Sequence, residues 1–258
     1  MNIALITGAS SGLGRQFAIQ IDYLSMHQKI RKIDEIWLVA RRREQLKELS
    51  VTLSTRTRII PMDVTNDISM IQYHEILQQE SPHIQLLVNC AGFGLLGKFK
   101  DLDIADQLAM VDVNCKALTK MTYFCIPYMA KGSHIIQLAS SAAFLPQPNF
   151  AIYAATKSYV LSFSHALSEE LRKDEIIVTA VCPGPVNTNF FTIAEKYGSN
   201  LAVKKLTMVE APAVVRAALR AAYRKKTVSV YSPLIKAFHV LTKCMPVKWI
   251  LYVLRKFK

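Results

Sequence analysis

The sequence predicts an α/β fold, a doubly wound parallel sheet of about seven strands with helices on both faces, in a single domain. Three observations carry that expectation. Short β-branched runs alternate with longer helical patterns along the whole chain. The runs are largely apolar on both faces, as strands covered on both sides must be. The first run also passes through a glycine-rich turn straight into a helix.

Taken in order, the first strand is Ile3–Thr7, followed by a helix at Gly12–Gln28. Ile36–Ala40 precedes a helix at Arg43–Ser54, and Arg58–Met62 precedes one at Ile68–Gln79. Leu86–Asn89 leads into the longest helical pattern, Ile104–Ala130, and His134–Ala139 into Ile152–Lys173. Ile176–Val181, a helix at Ala213–Lys225 and the strand Val228–Tyr231 complete the series. Asn189–Met208 breaks the rhythm late in the chain, after a strand, and is the expected mobile substrate lid.

With 258 residues, 51% of them hydrophobic, the chain buries one substantial core. No repeat or low-complexity tract divides it. The five cysteines are Cys90, Cys115, Cys125, Cys182 and Cys244. They form no Cys-x-x-Cys pair and no Cys/His cluster, so reduced buried thiols are expected and a zinc site is not. The N-terminus lacks a basic leader, and no apolar run reaches the roughly 18 residues of a membrane span. A cytoplasmic or cytosol-facing protein is the expectation.

Charge divides the chain unevenly. Of the net +13, the segment Ala211–Lys258 carries +11, because Glu210 is the last acid. A nearly neutral body with a basic tail does not fit a uniformly basic nucleic-acid binder.

The first turn reads Thr7-Gly8-Ala9-Ser10-Ser11-Gly12-Leu13-Gly14. Glycines let the backbone turn sharply and let a pyrophosphate approach the main chain. The free N–H groups of the helix start then hold its charge. An ordinary glycine-rich turn is the alternative, disfavoured by the position after the first strand.

The second strand ends in Ala40 and runs into Arg41-Arg42-Arg43. Dinucleotide sites for NAD place an acid at this strand end for the ribose hydroxyls. Here Ala40 leaves room, and Arg41 can grip a 2′-phosphate bidentately, with Arg15 adding charge. NADP(H) is therefore expected over NAD(H). A solvated basic helix start is the alternative, and it is unfavourable at the positive end of a helix dipole.

Tyr153 and Lys157 stand four apart on a helix, hence on one face. A free phenol, with a pKa of about 10, exchanges protons poorly near neutrality, and a nearby ammonium lowers that value. Ser140 lies thirteen residues upstream at a strand end, with Ser141 beside it. Strand ends on the carboxyl side of an open α/β sheet line the ligand crevice.

These motifs together resemble the short-chain dehydrogenase/reductase family over roughly residues 2–231, on a Rossmann-type sheet. Thr7–Gly14 is similar to its T-G-x-x-x-G-x-G, and Asp63-Val64 to the pair flanking the adenine. Asn89-Cys90-Ala91-Gly92 resembles its N-N-A-G, with Cys90 in place of the second Asn. Asn114 falls on the family's catalytic Asn, and Ser140, Tyr153 and Lys157 on its serine and Y-x-x-x-K. Pro183-Gly184 and Thr188 match P-G-x-x-x-T.

The resemblance implies roles. Tyr153 gives a proton to the carbonyl oxygen as hydride arrives from the nicotinamide. Ser140 positions that oxygen, in preference to Ser141. Lys157 holds the ribose and depresses the Tyr153 pKa, and Asn114 holds a water linking Lys157 to solvent. Thr188 and the backbone near Val186 orient the carboxamide. The implied activity is NADP(H)-dependent reduction of a ketone, aldehyde or 3-oxoacyl group, in a homodimer or homotetramer. A non-catalytic NADP(H)-binding or membrane-attached interaction protein is the rival, disfavoured because a pure binder needs no proton donor.

Residues 232–258 form a basic amphipathic extension beyond the dehydrogenase domain of 1–231. In its first segment Lys236, His239 and Lys243 share one face, and Leu234, Ile235, Phe238 and Leu241 the other. In its second, Lys248, Tyr252, Arg255 and Lys256 oppose Val247, Ile250, Leu251 and Leu254. Trp249 and Tyr252 suit a membrane interface. Packing on the enzyme or on a second subunit, attachment to an anionic membrane, and nucleic-acid binding all remain open here, the last being least favoured. The extension resembles the tails of some bacterial and lipid-directed members of the family, and that resemblance implies a lipophilic carbonyl substrate for a membrane-bound enzyme.

Overall fold

The computed structural model describes residues 1–198 and 207–256. Its strands are β1 (Asn2–Thr7), β2 (Glu35–Ala40), β3 (Arg56–Pro61), β4 (His83–Asn89), β5 (His134–Leu138), β6 (Ile177–Val181), β7 (Val186–Asn187), β8 (Val209–Glu210) and β9 (Val228–Ser229). Seven of them form one parallel sheet in the order β3-β2-β1-β4-β5-β6-β9. Its helices are α1 (Gly12–Met26), α2 (Arg43–Ser50), α3 (Asp67–Glu80), α4 (Ile104–Val111), α5 (Leu118–Cys125) and α6 (Ala151–Glu170). After them come α7 (Phe190–Ala194), α8 (Ala211–Tyr223), α9 (Pro233–Cys244) and α10 (Val247–Lys256).

Successive strand side chains point to opposite faces, and each face has its own core. On one, Ala4, Ile6, Leu38 and Val88 meet Phe17 and Ile21 of α1, Leu46 of α2 and Val215 and Leu219 of α8. On the other, Ile3, Leu5, Trp37 and Leu87 meet Tyr73 and Leu77 of α3, Met121 of α5 and Leu167 of α6. All seven expected strands form, with ends shifted by a few residues. The order reverses at β1, whose neighbours are β2 and β4. Thr7 and Asn89 stand side by side at the carboxyl ends of β1 and β4. The helices that follow the two strands leave on opposite faces, which opens a crevice there.

Four local differences from the sequence expectation have physical causes. The pattern Ile104–Ala130 is not one helix: a π-helical stretch, Asp112–Ala117, separates α4 from α5, and a 3₁₀ turn at Ile126–Tyr128 ends the run. Pro127 has no N–H to continue an α-helix. The helix expected over Arg43–Ser54 stops at Ser50, because the Thr52 hydroxyl and N–H both donate to Leu49 O (2.7 and 2.9 Å). β9 ends at Ser229, opposite Val181 where its neighbour β6 ends, and Pro233 then opens α9. A short pair, β7 with β8, brackets the segment expected to be a lid.

A further difference is the rotation of α9. Ile235 is 7% exposed, and the His239 ring lies 4.0 Å from that of Phe144. Leu234 and Leu241 point outward, 59% and 46% exposed, beside Lys236 and Lys243. His239 thus belongs to the packed face and Leu234 and Leu241 to the solvent face, the reverse of the sequence expectation. In α10, Ile250 is buried and Val247, Trp249 and Tyr252 are exposed. Among the described residues, no helix is long and apolar enough to cross a membrane.

Candidate active site

A cavity of about 750 Å³ opens at the carboxyl ends of the strands. The glycine turn lines one end, and Ser140, Tyr153 and Lys157 line the other.

The turn is built for close approach. Gly8 has φ +67°, and a β-carbon there would stand 2.9 Å from Ala91 N. A β-carbon on Gly14 would stand 2.3 Å from Gly8 O, so α1 can start this close to β1 only without a side chain. Thr7 Oγ1 accepts from the backbone N–H of Cys90 (3.0 Å) and Ala91 (3.1 Å), joining the ends of β1 and β4. The Cys90 substitution therefore leaves the strand-end backbone hydrogen-bonded. Burial pushes the Cys90 thiol up to about 12, so it stays neutral.

Beyond β2 the cations divide their work. Arg42, not Arg41, reaches the glycine turn: its guanidinium donates to Ser10 Oγ (2.9 Å) and Ser11 Oγ (2.7 Å). Arg41 stands 3.7 Å from the Asp63 carboxylate. Burial would raise the Asp63 pKa, but hydrogen bonds from Thr65 and the Arg41 charge hold it below its usual value. Both arginines line the cavity, and Arg15 does not. The sequence expectation passed over Arg42, although it lies in the same basic run.

At the far end, α6 presents Tyr153 and Lys157 inward, 7% and 4% exposed. The Tyr153 ring stacks on Phe150 (4.2 Å between centroids) and lies 5.5 Å from Phe190. Burial drives its pKa up to about 12, against the opposing effect of a hydrogen bond with Ser140. Ser140 caps a 3₁₀ turn, its Oγ accepting from Ala142 N (3.1 Å). The backbone N–H of Ser141 is instead tied to Pro183 O (2.8 Å). Lys157 Nζ donates to Leu138 O (2.6 Å) and sits 5.7 Å from the Tyr153 ring centre. Burial lowers its pKa to about 8, against the pull of the neighbouring thiols Cys90, Cys115 and Cys182.

Two expected site residues lie behind the cavity wall. Asn89 is 2% exposed and donates to Thr122 Oγ1 (2.9 Å), away from the cavity lining. Asn114 is fully buried in the π-helical turn. Its amide accepts from Phe93 N (3.1 Å) and donates to Phe93 O (2.9 Å) and Thr156 Oγ1 (3.0 Å). Both Asn114 Nδ2 bonds go to protein, so this side chain braces the loop after β4 against α6. All the other expected site residues line the cavity: Gly8, Ser10, Ser11, Gly12, Leu13, Gly14, Arg41, Asp63, Val64, Ala91, Gly92, Ser140, Tyr153, Lys157, Pro183, Gly184, Val186 and Thr188.

Four phenylalanines, Phe93, Phe150, Phe190 and Phe191, line the remaining wall beside the polar Asp106, Asp112, Gln147 and Asn189, a feature that no local spacing in the sequence reveals. The expected lid, Asn189–Met208, falls partly outside the described residues, at 199–206. Its described beginning is fastened: Lys196 Nζ and Tyr197 Oη both donate to the Asp106 carboxylate of α4 (2.6 and 2.7 Å), and Leu96 N donates to Ala194 O.

This geometry has counterparts among known proteins. Residues 2–197 match the family model described as short chain dehydrogenase. An uncharacterised oxidoreductase of Staphylococcus epidermidis is 32% identical over 188 residues, covering 72% of this chain and 78% of that one. An 11-beta-hydroxysteroid dehydrogenase-like protein of Arabidopsis thaliana is 34% identical, covering 83% and 69%. In fold, the chain is similar to a short-chain dehydrogenase from Sphingobium yanoikuyae solved with NADPH (TM-score 0.77, 24% identity, 95% and 97% covered). It is likewise similar to a Burkholderia phymatum short chain dehydrogenase/reductase solved with NAD (0.79, 23%, 93% and 92%).

Proposed function

The chain belongs to the short-chain dehydrogenase family, and from that premise we propose that it reduces a lipophilic ketone, aldehyde or 3-oxoacyl group with NADPH, using Tyr153 as proton donor. The observation that carries this reading is the convergence of Ser140, Tyr153 and Lys157 in one cavity with a glycine turn at its other end.

The residues present fit a dinucleotide. Gly8 and Gly14 let the turn close against Ala91 and against its own backbone, at the start of α1 where free N–H groups can meet a pyrophosphate. Ser10, Ser11, Arg41 and Arg42 would hold a 2′-phosphate, and Ala40 supplies no acid to repel it. Asp63 and Val64 would flank the adenine, and Ala91 and Gly92 the middle of the cofactor. Pro183, Gly184, Val186 and Thr188 would face its nicotinamide end. When bound, the cofactor supplies the hydride.

The chain supplies the proton and the positioning. With its pKa near 12, Tyr153 carries its proton at neutral pH and can give it to a carbonyl oxygen as negative charge develops there. Ser140 Oγ donates to the same oxygen and fixes its place. Lys157, with a pKa near 8, is mostly cationic near neutrality and stabilises the phenolate that Tyr153 leaves behind. Asn114 is a positioning residue: by tying Phe93 to Thr156 it fixes the wall against which Lys157 packs. Phe93, Phe150, Phe190 and Phe191 favour an apolar body on the substrate.

Exposed Ile104, Leu108 and Val111 on α4, with exposed Tyr123 on α5 and Tyr159 on α6, suit pairing with a second copy. The free thiols, three of them buried, fit a reducing cytosolic setting. The test is NADPH oxidation over a panel of ketones, aldehydes and 3-oxoacyl thioesters graded by chain length. Turnover that rises with apolar length supports the assignment. Activity retained in full by Tyr153→Phe refutes it.

A further inference from the structure

The basic C-terminal helices are the largest feature that turnover leaves unused. We infer that the outer face of α9 and α10 docks on an anionic phospholipid surface.

The inference starts from the rotation of α9. Had the helix buried Leu234, Phe238 and Leu241 together, its apolar residues would be spent on the protein. Instead Ile235 is its only buried residue, seated over Gly184. The exposed surface of the helix carries Leu234 (59% exposed), Val240 (60%) and Leu241 together with Lys236 and Lys243. In α10, Val247 and Trp249 (67%) are exposed beside Lys248. Large apolar side chains held open to solvent on short helices and flanked by lysines describe a helix that lies in a lipid interface. Tryptophan sits well at headgroup depth.

Charge selects the occupant. From Ala211 to the C-terminus there are cations and no acid. A second copy meeting this face across a two-fold axis would set cation against cation. An anionic bilayer complements it, at about 1 kcal/mol per cation near the surface. Because α9 rests on Gly184 and on the Ser141–Phe144 turn, both of which contribute to the cavity wall, the docked face lies one helix away from the cavity. Docking itself does not depend on turnover.

Flotation of the full chain with vesicles tests this, comparing phosphatidylcholine alone with phosphatidylcholine mixed with phosphatidylserine. Wild type is expected to float with the mixed vesicles only, and less as salt rises. Lys236→Gln with Lys243→Gln should weaken partitioning about 30-fold. Leu241→Ser with Trp249→Ser should weaken it at least as strongly. Light scattering on the same variants should show an unchanged oligomeric mass. Failure to float, or equal flotation with both vesicle types, overturns the inference. So does full binding by the serine variant, the mark of plain adhesion to any polyanion such as duplex DNA. A mass that falls in that variant overturns it in favour of a second copy on this face.

Discussion

The Arg42 guanidinium bridges Ser10 Oγ and Ser11 Oγ at 2.9 and 2.7 Å, so the glycine turn and the basic run after β2 share one charged wall. A 2′-phosphate entering there would replace neutral hydroxyl acceptors with anionic ones, whose bonds to a guanidinium are worth about 1.5–3 kcal/mol each. Arg42→Ala should therefore raise the Kd for NADPH about 10- to 100-fold and leave NADH nearly unchanged. Arg41→Ala should cost less, because Arg41 is partly engaged by Asp63. Fluorescence titration with both cofactors checks this, and an equal loss for both contradicts it.

Tyr153→Phe removes one oxygen from a ring that Phe150 and Phe190 already hold. Cofactor affinity and the thermal midpoint should stay close to wild type, while kcat falls about 10²- to 10⁴-fold. Steady-state assays beside a cofactor titration separate the two effects.

Lys157 is held at a cost to stability. Its pKa drops from 10.5 to about 8 on burial, so below about pH 8 a charged amine sits in a dry site. Between those values the unfolded chain binds more protons than the folded one, and stability in the absence of cofactor should rise with pH across that window. The penalty below it is on the order of 3 kcal/mol. Lys157→Met should raise the thermal midpoint at neutral pH while abolishing turnover, which calorimetry and an activity assay together can verify.

The same proton shapes the rate. In the reductive direction kcat should hold steady up to about pH 8 and decline above it as Lys157 becomes neutral and ceases to stabilise phenolate. A pH–rate profile with saturating cofactor and substrate reads this directly. An unbroken rise through that pH would contradict it.

Gly8→Ala should cripple both fold and cofactor binding. The new methyl would meet the Ala91 backbone at 2.9 Å in a conformation with φ +67°, and neither can yield without parting β1 from β4. A loss of about 1–3 kcal/mol follows from the backbone alone. Denaturant midpoints measure it, and a neutral effect would mean that the turn is looser than it stands.

Much of this was legible in the sequence, where local rules and the global fold agree. Strands such as Ile3–Thr7 are apolar on both faces, the glycine turn needs open backbone, and Tyr153 and Lys157 share a face by simple helical spacing. What escaped depends on partners distant in sequence. Arg42 reaches Ser10 because of how the chain leaves β2, which spacing does not encode. Asn89 bears an amide at a strand end, yet it faces Thr122 rather than the cavity. In α9, apolar residues surround much of the helix, so periodicity alone could not tell which of Ile235 and Leu234 would meet the body. Contact with Gly184 and Phe144 decided it.

The wide turn at Asp112–Ala117 has a consequence for tolerance to length change. One residue more or less in a helix swings all that follows by about 100° around its axis. Deleting a single residue there to restore regular winding would carry Asn114 away from Phe93, or else Met121 and Cys125 of α5 away from the sheet. The chain can keep its bracing amide and its packed helix together only by holding that extra residue, so this short stretch should resist insertions and deletions more sharply than it resists substitution.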